Sequence, residues 1–531
     1  MLRYAKILFL VLLSQTIVAQ MQVDWQQCFC SMDGDEAWDV AQVNDGYLVI
    51  GMQHGGDGQV TCSDAGSAWL LKIDEMGNLI WQKCYFDRNA YRIFDEFEGS
   101  NLYIVGAAWI DPYPDEGNLW VSKIDSVGNI IWERSLGNDI GISSYNFYGN
   151  PTNDGGCIAT VDIFSQGGDI TNWYGGYDGW VVKLDSLGNT EWDFTVGSQN
   201  ADAVNGVTQT LDNGYIIAGY GRPDGISGNI TNPSFTSSAS DAVIYKIDSL
   251  GNPEWNKTYG GSNGDAGGRS LSLQDGYLIA GLTSSNDGYL EGSGWHGGLD
   301  IWLIRTDLEG EIIWNRCYGG SNFEGLSRIF QTADEGFIVF ADTHSFDGDV
   351  VGNPSNSSAK SSIWIFKIDS LGNLIWQQCV GGHASESVYG VIKHSDYNYT
   401  VAGEMSYSPS YDVNCSNFIY GSSFNYWVFG ISDTTVNVTE NLPATDMVKI
   451  YPNPLPRGQS GVNSLLNIEF PNDYNIQNTT IEIVDINGRT MLKAYPVSVT
   501  TLLDINKLNS GLYLVKIQNN KTLITKKIII Q

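Results

Sequence analysis

The chain has 531 residues, with 28 Lys and Arg against 60 Asp and Glu, and its formal net charge at pH 7 is −32. The last 91 residues hold nine basic and six acidic side chains, so the remainder carries a charge of −35. A surface this acidic repels phosphate backbones, which argues against a nucleic-acid partner but leaves divalent cations and neutral glycans as ligands.

The first 19 residues are predicted to be a secretory signal peptide, cut after Ala19. Arg3 and Lys6 precede an apolar run at 7–13. A short basic segment, an apolar core and a small residue at the cut are the features of such leaders. No later run reaches the roughly 18 apolar residues of a membrane-spanning helix, so we expect an exported chain without a membrane span.

A ten-residue motif recurs through most of the chain. Its clearest copy is Lys-Ile-Asp-Ser-Leu-Gly-Asn-Leu-Ile-Trp at 367–376, and every copy places Asp seven residues and Gly four residues before its Trp. Neighbouring copies are 51 to 63 residues apart. A repeat of this period predicts stacked supersecondary units, each of which cannot bury its apolar face alone. The copies end at Trp81, Trp132, Trp192, Trp255, Trp314 and Trp376.

Each copy is predicted to be a β-hairpin, and a second hairpin precedes it in every repeat. The apolar run before the Asp, such as 363–366, is short and β-branched or aromatic, as in a strand buried on both faces. Asp then opens a tight turn, and Gly supplies the positive φ of a bulge into the next strand. The turn of the preceding hairpin reads Asp-Gly-Tyr at 275–277. Each repeat is therefore predicted to be a four-stranded antiparallel meander, in which the repeated Asp, Gly and Trp are structural rather than catalytic.

Two unpaired strands at the ends of the repeat region predict how it closes. The segment 25–29 copies the last strand of the repeat without its hairpin partner. The run at 426–431 copies the preceding strand, and no Gly-Asn-x-x-Trp follows it. Six whole repeats and two halves make seven, so residues 20–433 are predicted to form an all-β, seven-bladed β-propeller of four-stranded blades, whose N-terminal strand completes the last blade. The alternative, a row of separate small β domains, leaves the strand at 25–29 unpaired.

Half of the eight cysteines occupy one position of the repeat, three residues after its Trp. Ser or Thr stands there in the other repeats, so we interpret it as a small buried position rather than a metal ligand. Export permits disulfides, but the sequence leaves the pairing of the remaining four open. The repeat cysteines are Cys28, Cys84, Cys317 and Cys379, and the others are Cys30, Cys62, Cys157 and Cys415.

An acidic side chain recurs ten residues after the Trp, at the predicted link into the first strand of the next blade. That strand is the innermost of a propeller blade, so these carboxylates are predicted to ring the axis on the face that carries the long loops. One interpretation is that they bind a hard cation such as Ca²⁺, assisted by Asp178, Asp241 and Asp300 at the start of third strands. The other, which the repetition favours, is that each accepts backbone N–H bonds and ties its blade to the next. The predicted ligand-binding residues are Asp35, Asp202, Asp265, Glu324 and Glu386.

After residue 433 the sequence changes character. Residues 434–447 are polar and are predicted to be a linker, and residues 448–531 alternate strand-like runs with turns. A segment of this size and pattern predicts a small C-terminal β-sandwich. The runs lie at 466–470, 480–484, 491–495, 511–517 and 522–530.

Residues 448–531 carry a set of motifs with a known counterpart. The motifs are Tyr451-Pro452-Asn453-Pro454, Gly488-Arg489, the run 511–516 with Gly511, Tyr513 and Lys516, and a basic strand at the C-terminus. Together they resemble the type A C-terminal sorting domain of the type IX secretion system of Bacteroidota. The resemblance implies that the type IX machinery carries the protein from the periplasm across the outer membrane. It also implies that the domain is then removed, with release of the protein or its attachment to surface polysaccharide.

Three functions fit this organisation. The first is an exported binding, adhesion or scaffold module for a glycan or another surface protein. The alternative is a glycan-active hydrolase or lyase, which needs a convergent acid, base and Arg or His near the axis; the sequence reveals no such set, and no cofactor is assigned. The third is a structural spacer. Because propellers include both binding proteins and enzymes, the fold does not decide between them.

Overall fold

The chain divides into two compact units, Met1–Thr435 and Val436–Gln531. The predicted signal peptide at 1–19 and the predicted linker at 434–447 lie outside the residues that the structure, a computed structural model, describes. The described residues are 21–31, 34–55, 59–61, 67–96, 101–110, 113–137, 142, 146–225, 227–355, 357–406, 410–414, 424–433, 449–451, 465–470, 479–485, 489–496, 498, 500–505, 508, 511–518 and 523–530.

Seven four-stranded antiparallel sheets form the first unit, as the blades of a propeller. The first strand, β1 (Met21–Phe29), belongs to the last blade. Blade 1 is β2 (Asp35–Val43), β3 (Gly46–Gln53), β4 (Ser67–Ile73) and β5 (Leu79–Tyr85). Blade 2 is β6 (Arg88–Asp95), β7 (Leu102–Ile110), β8 (Tyr113–Ile124) and β9 (Ile130–Leu136). Blade 3 is β10 (Tyr148–Pro151), β11 (Cys157–Ile163), β12 (Asp178–Leu184) and β13 (Thr190–Val196).

The remaining blades follow in chain order, and the described residues include a 3-10 helix, Gly288–Leu290, in the loop after β19. Blade 4 is β14 (Ala203–Gln209), β15 (Tyr215–Gly221), β16 (Asp241–Ile247) and β17 (Pro253–Tyr259). Blade 5 is β18 (Asp265–Leu273), β19 (Gly276–Thr283), β20 (Asp300–Thr306) and β21 (Ile312–Tyr318). Blade 6 is β22 (Glu324–Gln331), β23 (Phe337–Thr343), β24 (Ser362–Ile368) and β25 (Leu374–Val380). Blade 7 is β26 (Glu386–Ser395), β27 (Asn398–Met405), β28 (Asn425–Asp433) and β1.

The N-terminal strand β1 closes the ring as the outermost strand of blade 7. It pairs antiparallel with β28, with Cys28 opposite Trp427. The side chain of Gln378 in blade 6 donates to the carbonyl oxygen of Met21 over 2.7 Å and accepts its N–H over 2.8 Å, which fastens β1 to the neighbouring blade. Every blade thus has four strands, and the predicted seven-bladed propeller is confirmed.

The repeated motif holds neighbouring blades together. Asp185 Oδ1 accepts the N–H of Asn189 over 2.8 Å, which closes the turn between β12 and β13. Gly188 in this turn has a φ of 82°, and an added Cβ there would lie 2.8 Å from the ring of Trp132 in the preceding blade. Glycine is therefore needed both for the left-handed backbone and for the approach of the Trp. The same contact recurs for Trp192 with Gly251, Trp255 with Gly310, Trp314 with Gly372 and, across the closure, Trp25 with Gly77.

Short turns and long loops lie on opposite faces of the ring. The turns between first and second strands and between third and fourth strands define the tight-turn face. The loops between second and third strands and the links between blades define the long-loop face, and three of its long loops lie at 222–240, 284–299 and 344–361. The first strand of each blade is innermost, because residues from all seven first strands line one axial cavity.

The cysteines of the repeat are of two kinds. Cys317 and Cys379 are buried free thiols, and burial raises the pKa of each to about 12. They fit the small buried position that the sequence predicts. Cys28 and Cys84 are instead disulfide-bonded, so in two blades the same position carries a covalent link.

The second unit contains two antiparallel sheets, with strand orders β29-β30-β33 and β32-β31-β34-β35. Its strands are β29 (Lys449–Tyr451), β30 (Leu465–Glu469), β31 (Thr480–Asp485), β32 (Thr490–Ala494), β33 (Thr500–Asp504), β34 (Gly511–Gln518) and β35 (Leu523–Ile530). Ile468 of the first sheet shares one buried core with Ile483 and Val515 of the second, so the predicted β-sandwich is confirmed. The sequence does not predict β33. Across the part of the chain that the structure describes, no helix is long and apolar enough to cross a membrane.

Candidate functional site

The five predicted acids lie at the links between blades. Four of them begin a first strand, as Asp265 begins β18, and Asp202 comes directly before β14. All five are buried. The N–H of Asp265 donates to the carbonyl oxygen of Ser240 in the preceding blade over 2.7 Å. Its Oδ2 accepts the N–H of Gly261 over 2.7 Å and the hydroxyl of Ser285 over 2.9 Å, so this residue bonds to two blades at once.

The same arrangement recurs at the other four acids. Each N–H donates to the residue just before the third strand of the preceding blade. Each carboxylate accepts the backbone N–H that lies four residues earlier in its own link, a bond that satisfies a buried donor and fixes the link. This geometry favours the interpretation that the acids tie blades together. The backbone donors are Ser31 for Asp35, Ser198 for Asp202, Gly320 for Glu324 and Gly382 for Glu386.

Three of these acids face a second carboxylate across the blade interface. An added Cβ on Gly260 would lie 2.3 Å from Asp241 Oδ1 and 2.8 Å from Asp265 Oδ2, so the two side chains flank the same glycine. Burial, with a smaller effect of the Asp265 charge, raises the pKa of Asp241 to about 7. Asp241 Oδ1 is buried and has no hydrogen-bond partner among the described residues. The other two pairs are Asp178 with Asp202 and Asp300 with Glu324.

These pairs are poor cages for a metal ion. Calcium takes six to eight oxygen ligands, of which carboxylates are usually several. Within the described ranges, no group of three or more His, Cys, Asp or Glu side chains is placed to share a metal ion. Three of the five acids therefore meet a second carboxylate, at three separate interfaces, and each of these pairs supplies two carboxylates.

A cavity of about 900 Å³ lies on the axis and reaches toward the tight-turn face. The sequence does not predict its lining. The first strands of six blades contain a β-bulge, and the residues that follow the bulges, with Tyr148 of blade 3, form one level around the axis. We call this the arginine level, because three of its seven residues are Arg. From blade 1 to blade 7 its residues are Asp39, Arg92, Tyr148, Gly206, Arg269, Arg328 and Gly390.

The sequence holds only a weak signal for the arginine level. In five blades its residue lies 14 positions after the repeat Trp, but in blades 2 and 3 it lies 11 and 16 positions after. The links before β6 and β10 differ in length from the others. Counting from the repeat Trp therefore does not show that Arg92 and Tyr148 occupy the same level as Arg269 and Arg328. Bulges have no reliable sequence signature, so the spacing alone does not predict which side chains of the first strands point toward the axis.

Aromatic rings lie one position nearer the long-loop face in four neighbouring blades, three of them in first strands and the fourth directly before β10. Tyr389, Trp38, Tyr91 and Phe147 each directly precede a residue of the arginine level. Their ring centroids are 4.7 Å apart for Tyr389 and Trp38, 5.4 Å for Trp38 and Tyr91, and 4.9 Å for Tyr91 and Phe147. Aromatic contacts of this kind join blades 7, 1, 2 and 3, and they steady the strands that carry Asp39 and Arg92.

The residues that carry the sorting motifs are only partly within the described residues. Tyr451 ends β29, opposite Asn467. Gly511 begins β34, Tyr513 is buried in the sandwich core, and Lys516 lies opposite Glu482. The motif residues outside the described part of the chain are Pro452, Asn453, Pro454 and Gly488.

The C-terminal unit matches a known family. Residues 449–531 match the family described as the Secretion system C-terminal sorting domain. The prediction for this unit is thereby confirmed: it is a type IX secretion sorting domain, and it directs the protein to the cell surface or the medium.

Several solved structures align with the chain at low identity. PorZ of Porphyromonas gingivalis, an essential bacterial surface component of the type IX secretion system, is 11% identical over 95% of this chain and 74% of its own, with a TM-score of 0.23. A chain from the complex of Drosophila Plexin A with Semaphorin 1b is 7% identical over 78% of this chain and 88% of its own, with a TM-score of 0.40. A chain from the complex of BBS1N with ARL6DN is 9% identical over 78% and 97%, with a TM-score of 0.41. At these scores the likeness carries no argument about function, and no curated protein matches the chain.

Proposed function

We propose that the protein is exported by the type IX system and acts outside the cell as a binding module, for adhesion or as a scaffold. Its partner is a glycan or another surface protein. The sorting domain at 449–531 is the observation that carries this proposal, because it directs the propeller to where such partners are. The propeller then supplies a rigid ring that presents long loops and an axial cavity.

The contacts between blades support a binding role. The indole N–H of Trp192 donates to the Ser249 carbonyl oxygen of the next blade over 3.1 Å, and Trp255 does the same to Leu308 over 3.1 Å. Loops on strands held in this way stay in place without a partner, which lowers the entropy lost on binding. The axial cavity of about 900 Å³ is in the size range of small-molecule sites.

The alternative, a glycan-active enzyme, is less well supported by the cavity. Hydrolysis of a glycosidic bond commonly uses two carboxylates, one on each side of the bond. In the part of the chain that the structure describes, the carboxylates that line the cavity are Asp39 and Asp95, and Asp39 is already paired with Arg328 at 2.8 Å. Binding is therefore the function that the geometry supports better.

The purified full-length protein tests the binding proposal. We expect it to be retained on a glycan array, on surface polysaccharide from the producing bacterium, or on one of its surface proteins. A parallel assay for new reducing ends or unsaturated sugars should show that the glycan stays intact. Cleavage would favour the enzyme, and a protein that neither binds nor cleaves would favour the spacer.

Removal of residues 448–531 tests whether the type IX system exports the protein. We expect the shortened protein to remain in the periplasm of a bacterium with a type IX system, with the propeller still folded and resistant to protease. As the matched control, a soluble reporter with residues 1–19 fused before it and residues 434–531 after it should reach the surface or the medium. Shortened protein outside the cell in the same amount as the full chain would contradict this route.

A further inference from the structure

The arginine level concentrates positive charge on the axis of a protein whose net charge is −32. Arg92, Arg269 and Arg328 come from three different blades and line the same cavity. Asp39 is the one acid at this level. The charges of the level therefore sum to an excess of two positive groups.

Asp39 compensates Arg328. Its Oδ1 lies 2.8 Å from Arg328 Nη2. Its carboxylate also accepts the N–H of Val40 over 3.1 Å and that of Ile93 over 3.3 Å. With these three contacts made and only 5% of the residue exposed, Asp39 has little capacity to pair with a further arginine.

Arg92 and Arg269, which we call the axial pair, are held by other means. Their guanidinium carbons lie 4.9 Å and 4.4 Å from the centroid of the Tyr148 ring. Arg269 Nε donates to the carbonyl oxygen of Ser327 over 3.0 Å, and Arg92 Nη1 donates to that of Tyr91 over 3.0 Å. Within the described residues, the ion pair with Asp39 belongs to Arg328, and the axial pair forms none.

The axial pair retains unused donors and unrelieved charge. Arg92 Nε is buried and meets no acceptor in the described part of the chain. Burial, together with the neighbouring arginines, lowers the pKa of both Arg92 and Arg269. A guanidinium group nevertheless keeps its proton in proteins. The two groups therefore repel each other across a partly desolvated cavity, and a bound anion would relieve that repulsion.

We propose that the axial cavity binds an oxyanion through Arg92 and Arg269, either as a small free acid or as the acidic end group of a glycan. This inference rests on the proposed binding function and names the chemistry of its ligand. The planar fork of each guanidinium matches the oxygens of a carboxylate, sulfate or phosphate. Tyr148 holds both forks in place before the ligand arrives, so little side-chain entropy is lost on binding.

Titration of the full-length protein with three anions tests the site. Inorganic phosphate, sulfate and glucuronate are added at low ionic strength, with glucose as the uncharged counterpart of glucuronate, and the melting temperature and heat of binding are measured. We expect at least one anion to bind and raise the melting temperature, and glucose to have no effect. Binding of phosphate or sulfate supports a free anion as ligand, and binding of glucuronate alone supports an acidic glycan end. No binding by any of the three overturns the proposal.

Two variants separate an anion site from a merely structural cluster. Arg92→Gln and Arg269→Gln should each weaken anion binding about tenfold or more. Without anion, each should melt no lower than the wild type, because one repelling charge is gone. Arg316→Gln, which removes an exposed arginine of β21, is the matched control and should bind like the wild type. Undiminished binding by both axial variants overturns the proposal. If anions fail to bind while the protein is retained on surface polysaccharide, the axial site is refuted and the proposed binding function stands.

Discussion

Single glycines decide how closely the blades pack. At Gly188 an added methyl group meets a backbone with a φ of 82° and a Trp132 ring 2.8 Å away. The left-handed backbone costs roughly 1–2 kcal/mol for a residue other than glycine, and overpacking costs about 1–3 kcal/mol. We expect Gly188→Ala to lower the free energy of unfolding by roughly 2–5 kcal/mol, as measured by urea denaturation.

Gly292 supplies the control for that substitution. Its φ is 78°, close to that of Gly188, but no atom lies within 4 Å of an added Cβ. Gly292→Ala should therefore lose only the backbone part, roughly 1–2 kcal/mol. Equal losses for the two variants would show that the approach of Trp132 to Gly188 contributes nothing to the joining of blades 2 and 3.

The links between blades are elements whose stability depends on pH. The pKa of Asp241 is about 7 in the fold against an ordinary value of 3.8, chiefly because the group is buried. The folded state thus holds the proton more tightly than the unfolded chain. The protonated Asp241 carboxyl therefore makes its full contribution to the free energy of unfolding below about pH 4. That contribution is lost as the pH rises to about 7.

Asp241→Asn removes this loss, because the amide carries no charge at any pH. At pH 8 we expect the variant to be more stable than the wild type by an amount on the order of 1 kcal/mol, and the difference to shrink toward pH 4. Urea denaturation at pH 4.5 and pH 8 measures both values. A variant that is less stable than the wild type at pH 8 would contradict the assigned direction.

The interpretation that the acids at these links bind Ca²⁺ can be tested by the melting temperature. Each carboxylate pair offers two acids that already accept backbone N–H bonds, so we expect neither added Ca²⁺ nor a chelator to change the melting temperature. Asp241→Asn is the control. A rise with Ca²⁺ in the wild type that this variant lacks would establish a cation between Asp241 and Asp265 instead.

The elements are more predictable from the sequence than the cavity is. Six of the seven interfaces between blades join a repeat Trp to a turn Gly among the described residues, so the motif repeats and the blades can be counted. The sequence does not predict β33, because its apolar and polar residues do not alternate as in a half-buried strand. Leu502 is exposed, whereas Thr501 and Leu503 on either side of it are buried. The positions of Arg92 and Arg269 in the cavity are not predictable from the sequence, because bulges and unequal links shift the register of the inner strands.

The arginine level is a positive site within a strongly acidic part of the chain. The part of the chain before residue 441 carries a charge of −35, while the arginine level of the axis carries an excess of two positive groups. A chain segment this acidic repels long polyanions such as nucleic acids. A single acidic group at the end of a neutral glycan meets less repulsion and reaches the arginines, so the charge distribution favours end groups over polyanionic chains.

Closure of the ring depends on the eleven residues at 20–30. Without them blade 7 keeps three strands, the edge of β28 is exposed, and the contact of Trp25 with Gly77 is lost together with the disulfide of Cys28. An exposed, apolar edge strand pairs readily with other chains. We therefore expect a chain lacking 20–30 to lose its single cooperative unfolding transition and to aggregate, as followed by calorimetry and light scattering. A chain lacking 448–531 is the control, because it removes a separate unit and should leave the transition of the propeller unchanged. If the chain without 20–30 melts in the same transition as the full chain, the N-terminal strand is not what holds the ring closed.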